Sequence, residues 1–238
     1  MNADVALSVD GSPSSELWDL DYSLSQGNNL ISYPYDISQS LEGTDGTGLY
    51  GISGEGIAAI NIGGTWYGSL NAFEGGSGYW LVANADFSFS FSAPASGDDL
   101  GRTSTGMPIE KLLDLQSIAS RVSNDPVYSY RQSDQQAFFF VNSAVIQGEA
   151  LTSEDLIIAY NGDQIVGSRY WNGEFTDVPA MDAKDGDKIS FKVLDASTGE
   201  LVEMDADGDI EWSVMGISEI SLTDKFLPTE VSLSNAYP

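Results

Sequence analysis

The chain is 238 residues long, with 36 Asp and Glu against 9 Lys and Arg, a formal charge of −27, and it contains neither His nor Cys. Those absences exclude the Ser-His-Asp triad, imidazole general bases, thiol nucleophiles, zinc and iron–sulfur sites built on His or Cys, and disulfides. The charge excludes nucleic acid as a partner, because a phosphate backbone is bound through Lys and Arg; 42% apolar and 11% aromatic residues nevertheless supply enough material for packed cores.

Residues 1–19 form an N-terminal extension. It opens MNADVALSVDG, with no basic n-region and no apolar h-region, so no export leader is expected. No stretch of the chain reaches the roughly 20 apolar residues of a membrane span, and membrane insertion is not expected. Arg102 is the first cation of the chain. No phosphate or anionic-lipid site is therefore expected in residues 1–101.

Residues 20–92 carry short runs rich in aromatic and β-branched residues: Asn29 to Tyr35, Gly56 to Ile62, Thr65 to Leu70, Gly78 to Ala83 and Asp86 to Phe91. Glycine turns separate them, at Gly63-Gly64 and around Gly75-Gly76. That alternation predicts a small Gly-rich antiparallel β module. Residues 93–127 begin with the Pro, Gly and Ser of a linker and continue into a helix opened by Pro108. Ile109, Leu112, Leu113, Ile118, Ala119 and Val122 are expected on its apolar face, packed across the junction of two modules.

Residues 128–222 are expected to form a β-sandwich, with strands at Gln136 to Val145, Leu156 to Tyr160, Gln164 to Trp171, Lys188 to Asp195, Glu200 to Met204 and Ile210 to Met215. Turn signals at Asn161-Gly162-Asp163, Asn172-Gly173, Asp185-Gly186-Asp187 and Ser197-Thr198-Gly199 separate them. Residues 223–238 are a C-terminal extension. The predicted fold is all-β: a small Gly-rich antiparallel module and a β-sandwich, joined by one amphipathic helix.

Asn29-Leu-Ile-Ser-Tyr-Pro, Gly54-Glu-Gly-Ile-Ala-Ala, Thr65-Trp-Tyr-Gly-Ser-Leu and Gly76-Ser-Gly-Tyr-Trp-Leu together resemble a small β module. That module is repeated in secreted surface proteins of marine bacteria and in structural proteins of marine phages. Gln135 to Phe140, Ala159-Tyr-Asn-Gly-Asp, Val166-Gly-Ser-Arg and Thr176-Asp-Val-Pro-Ala-Met look like the module that often follows it. The tail Val231-Ser-Leu-Ser-Asn-Ala-Tyr-Pro is similar to the opening of a type IX secretion sorting domain, without the Asn-Pro-Phe-Asn-Pro that would continue it. The resemblance implies a display or spacer role on a large surface assembly.

Several residue groups invite a chemical reading. Gly46-Thr-Gly-Leu-Tyr-Gly matches the pattern of a dinucleotide turn, but no cation lies near it and no helix is expected to follow. Asp205, Asp207 and Asp209 flank Gly208. In a loop they would converge on a hard cation, Ca²⁺ being the ion such a loop takes; the alternative is a solvated acidic hairpin tip. No cofactor is otherwise required. Asp182, Asp185 and Asp187 form a second, weaker grouping. Glu149, Glu154 and Asp155 could be nominated as glycosidase carboxylates, although nothing in the sequence distinguishes them from the other acids.

Trp66-Tyr67 and Tyr170-Trp171 lie beside hairpin turns, where one member of each pair would be buried and the other could meet a sugar ring or a protein neighbour. The expected function is non-enzymatic: a structural or display protein on the exterior of a larger assembly, namely a capsid decoration or fibre component on the virion surface of a marine phage. The alternative is a secreted or cell-surface bacterial adhesion or spacer module, with carbohydrate as a ligand it could take, and a carboxylate glycoside hydrolase is a third class. The partners implied are further copies of the chain or a scaffold protein, with surface glycans in the alternative. The segments Val5 to Ser8 and Val231 to Leu233 are β-prone pieces suited to adding a strand to a neighbouring sheet.

Overall fold

The computed structural model describes residues 21–42, 44–91 and 107–225, so both terminal β-prone segments lie outside the described residues. Gly63 and Gly64 have φ of 62° and 90°. Positive φ at both central residues is what a two-residue hairpin turn demands, and the pair joins β5 (Ala58–Ile62) to β6 (Thr65–Gly68). The hairpin extends a five-stranded antiparallel sheet in the order β2 (Gly27–Ser32), β8 (Gly78–Ala83), β4 (Leu49–Ser53), β5, β6. Two ribbons complete the first module: β1 (Asp21–Leu24) with β9 (Phe87–Ser90), and β3 (Gln39–Ser40) with β7 (Ala72–Phe73).

Tyr79, Leu81 and Ala83 alternate along β8 and point into one core with Ile52, Leu70 and Phe73. The rings of Tyr33, Tyr79 and Phe91 surround Phe73, with centroids 4.9 to 5.4 Å apart. The module is held by aromatic packing of the edge-to-face and stacked kinds.

The second module is one eight-stranded sheet. It comprises β10 (Gln136–Ile146), β11 (Glu149–Ala150), β12 (Leu156–Asn161), β13 (Gln164–Tyr170), β14 (Thr176–Met181), β15 (Ser190–Leu194), β16 (Leu201–Gly208) and β17 (Ile217–Asp224). The order is β11-β10-β17-β16-β15-β12-β13, and β14 also pairs with β10. All pairs are antiparallel except β10 with β17. The sheet rolls until β13 and β14 run side by side, so that a Cβ placed on Gly167 would lie 1.6 Å from the carbonyl oxygen of Pro179. Opposite parts of the sheet face each other across one core in a sandwich-like body, and the chain is all-β with one helix.

Three departures from the sequence reading have physical causes. The strand expected over Ile210 to Met215 is a loop with a single bridge, Lys188 to Glu211. Trp212 turns inward there, 2% exposed, and its indole N–H donates to the Ala180 carbonyl at 2.9 Å. The strand lies further on, as β17, whose alternation is hidden by Ser and Glu. β14 is a second strand absent from the sequence reading, and it contains Pro179. It pairs with β10 on one side, and its other side faces Gly167, a margin where a missing N–H costs no ladder bond.

β10 explains how the modules join. Its first six residues are buried on both faces, as the unbroken apolar run Ala137 to Val141 requires. Phe139 and Val141 enter the second core, while Phe138 and Phe140 point the other way, onto Ala58 and Ile60 of β5. The helix α1 (Ile109–Ala119) lies beside this junction. Its buried face is Leu112, Gln116 and Ala119; Ile118, expected inside, is 59% exposed.

Candidate functional site

Arg169 on β13 and Asp177 on β14 are each 1% exposed, at the seam between the modules. Their side chains meet at 3.3 Å. Asp177 also accepts from the backbone N–H groups of Ala58 (3.1 Å) and Ser69 (2.8 Å) and from the Ser69 hydroxyl (2.6 Å), all in the first module. Arg169 donates to the carbonyls of Gly56 (2.7 Å), Asp177 (2.9 Å) and Ser120. Burial pushes the Asp177 carboxyl up, against the downward pull of Arg169, Ser69 and Ala58.

Gln136 repeats the theme beside this pair: its amide donates to the Gly54 carbonyl at 2.8 Å and accepts from the Gly56 N–H at 3.2 Å. These groups read the first module's backbone as a strand partner would. Among the described residues, no buried side-chain N or O lacks a hydrogen bond. The arrangement is one that fixes two bodies together.

Helix α1 clamps both sides of the seam. Gln116 accepts from the N–H groups of Asn71 (2.8 Å) and Ala72 (2.9 Å) in the first module. Arg121, just beyond the helix, donates to the Ser153 carbonyl and sits 4.1 Å over the Tyr170 ring in the second. The sequence placed the helix at the junction on its apolar periodicity; the polar Gln116 on its inner face gave no sign of its role.

The β5–β6 hairpin separates Trp66 from Tyr67. Side chains alternate along β6, so Tyr67 points into the junction, its ring 4.8 Å from Phe175 of the second module. Trp66 points to the opposite face, directly across from Asn61. There it packs on the edge of the first core and lines an open cleft of about 610 Å³ together with Asp45, Thr47, Asn61 and Thr65. The cleft wall is braced from within. Asn61 donates to the Gly46 carbonyl (3.0 Å) and accepts from the Gly64 N–H (2.9 Å), and Asp45 accepts from the Thr47 N–H (2.8 Å).

Gly46 belongs to this brace, since a Cβ on it would lie 1.8 Å from the Asn61 amide nitrogen. Gly51 has a different reason: a Cβ there would lie 2.4 Å from Ile217. The spacing that resembles a dinucleotide turn is thus a packing pattern leading into strand β4. Two smaller grooves, of about 290 and 380 Å³, follow the module seam and share Glu55 and Gln132.

Tyr170 and Trp171 stay on the second module. Tyr170 carries Arg121, and Trp171 packs against the second core while its N–H donates to the Asp155 carbonyl at 2.9 Å. All four aromatics named from the sequence are half-buried. The structure brings none of the second pair to the Trp66 cleft.

The acidic groupings are distributed differently from the loop expected of them. β16 continues through Gly208, so Asp205 and Asp207 lie within an extended strand, paired with Thr223 and Ser221 of β17 and exposed to solvent. Asp209 follows the strand and accepts from the Glu211 N–H at 3.0 Å. The three are not gathered into a cation loop, and among the described residues no group of three or more His, Cys, Asp or Glu is placed to hold a metal. Backbone pairing of Asp205 to Gly208 with β17 keeps this stretch extended.

Asp185 accepts from the Val214 N–H, Asp182 from the Ser133 hydroxyl, and Asp187 from Lys184 N–H and the Asn161 amide. Of the nominated glycosidase acids, Asp155 is buried and holds the Thr152 and Ala196 N–H groups, while Glu154 lies 3.7 Å from Arg121. No helix among the described residues is long and apolar enough to cross a membrane. Comparison of the chain with protein-family models, with curated protein sequences and with solved structures found no match.

Proposed function

We propose that this chain is a non-enzymatic structural display protein carried on the exterior of a larger assembly, as a capsid decoration or fibre component of a virion. The observation that supports this reading best is the seam: the Arg169–Asp177 pair, Gln136 and the Phe138–Phe140 packing couple two β modules into one body. A rigid body transmits position and force, which a spacer or decoration needs and an isolated binding domain does not. The likeness of the modules to those of marine phage structural proteins supports the same reading.

The test is fractionation of the source material followed by electron microscopy with a bound antibody fragment. The protein should sediment with particles and mark repeated positions on their surface; recovery as free chain alone would overturn the proposal. A second reading, a surface adhesion module, is favoured by the Trp66 cleft, whose aromatic floor and polar rim suit a ligand better than a packing contact. Recovery of the protein on cell envelopes rather than on particles would select it.

A further inference from the structure

We propose that the Trp66 cleft binds a neutral pyranose. This goes beyond the display role and does not depend on whether the assembly is a virion or a cell surface. The cleft, about 610 Å³, falls within the roughly 300–1000 Å³ typical of small-ligand pockets. It combines two features that seldom serve packing: a half-buried indole and the exposed side chains of Asp45, Thr47 and Thr65 in one lining. The face of an indole ring carries negative π density and attracts the polarised C–H groups on the apolar side of a sugar ring. Hydroxyls around that ring then need acceptors and donors close by. The Asp45 carboxylate and the hydroxyls of Thr47 and Thr65 line the same opening.

Preorganisation points the same way. Both polar ends of Asn61 are spent on the wall, and so is one oxygen of Asp45. The wall is thus ordered before a ligand arrives, which lowers the entropy cost of binding. The Thr47 hydroxyl, and after it the Thr47 backbone N–H, hold the Asp45 carboxyl below the usual carboxylate range, so it stays an acceptor at neutral and mildly acid pH. Charge selects the class of ligand. Residues 1–101 contain no Lys or Arg, so sulfated or uronic sugars and phosphates meet repulsion with no compensating cation. A neutral ring meets neither penalty.

The experiment is isothermal titration of the whole chain with a panel of neutral oligosaccharides (gluco-, manno-, galacto-, xylo- and chito-oligosaccharides), with heparin and alginate fragments and choline run beside them. At least one neutral member should bind in the millimolar range or tighter, with affinity flat in salt and with a change in tryptophan fluorescence. Trp66→Ala should weaken it by about two- to tenfold, the scale of one stacked aromatic. Trp66 also touches the first core, so Thr65→Val, at an exposed position, serves as a second variant that removes a rim hydroxyl and keeps the fold. Trp80→Ala, in the seam groove, should leave affinity unchanged. The proposal is overturned by a panel with no neutral binder, by binding indifferent to both Trp66→Ala and Thr65→Val, or by preference for choline or for the anionic fragments. None of these outcomes bears on whether the protein sediments with particles.

Discussion

Two carboxylates show how one residue type takes opposite roles. Asp177 is buried and shares its charge with Arg169, so deleting one partner strands the other. Arg169→Met should cost about 3–5 kcal/mol, read from urea unfolding at neutral pH. The deficit has a predictable pH dependence. Without the guanidinium, burial raises the folded-state pKa of Asp177 further above its unfolded value; the folded state then takes up a proton more readily, and the variant regains stability as pH falls through that raised value. A deficit that grows in acid would contradict this account.

Asp187 behaves in the reverse sense. The Lys184 N–H and the Asn161 amide hold its carboxyl below the ordinary range. Its contribution is therefore complete above the unfolded value, near about 4, and is lost as pH falls through the lowered folded value. Melting curves of the intact chain and of Asp187→Asn should differ at neutral pH and converge in acid, as pH falls through that lowered value.

At the scale of elements, the margins of the second sheet carry the sharpest steric demand. β13 and β14 approach so closely at Gly167 that a methyl group would overlap the Pro179 carbonyl, which is backbone and cannot swing aside. Gly167→Ala should destabilise by about 1–3 kcal/mol or more. The measurement is the urea midpoint, with Gly162→Ala as the comparison: it tests a turn glycine with a φ of 61° and open space around its Cβ direction.

Helix α1 depends on Gln116 in another way. Gln116→Leu keeps the volume but leaves the Asn71 and Ala72 N–H groups without their acceptor, at about 1–3 kcal/mol for each group left unsatisfied. Hydrogen exchange should accelerate at those two amides while β10 and β12 stay protected. Uniform acceleration over both modules would show that the helix holds up the whole fold rather than one ribbon.

For the whole molecule, −27 charges over 238 residues make self-repulsion a global term. The cations that answer it all lie beyond residue 101, and two of them, Lys192 and Lys225, meet Glu203 at 3.3 Å. These exposed pairs are worth little. Raising sodium chloride from about 0.01 M to about 1 M shortens the screening length from about 30 Å to about 3 Å. The melting temperature should rise over that range, measured by calorimetry, and association of copies or docking on a scaffold should strengthen with it. Dissociation by salt would place the contact in opposite charges instead of apolar surface or strand pairing.

The all-β class, the Gly63-Gly64 hairpin, the Asn161-Gly162 turn between β12 and β13, strand β8 and the existence of α1 were legible because each is governed by neighbours along the chain: alternation, turn chemistry, a proline at a helix start. The candidate site was legible only in part. Trp66 stands out beside its turn, but nothing in the sequence separates it from Tyr67, because the face each presents depends on what lies above and below the hairpin. Gln116 likewise reads as one more polar helix residue until Asn71 and Ala72 are placed beneath it. β17 and β14 were hidden for a related reason. A strand with Ser, Glu or Pro is stable when a long neighbour such as β10 supplies its partner, and that partner lies some 40 to 80 residues away in the chain.

The seam is the clearest case. Arg169 and Asp177 look like solvated charges in sequence, yet both are buried, because the groups that satisfy them sit on Gly56, Ala58 and Ser69, 108 to 119 residues distant. Local sequence determined what kind of strands and turns this protein makes. Tertiary structure decided which charges could leave water, since a buried ion is tolerable only where the rest of the fold delivers its hydrogen bonds.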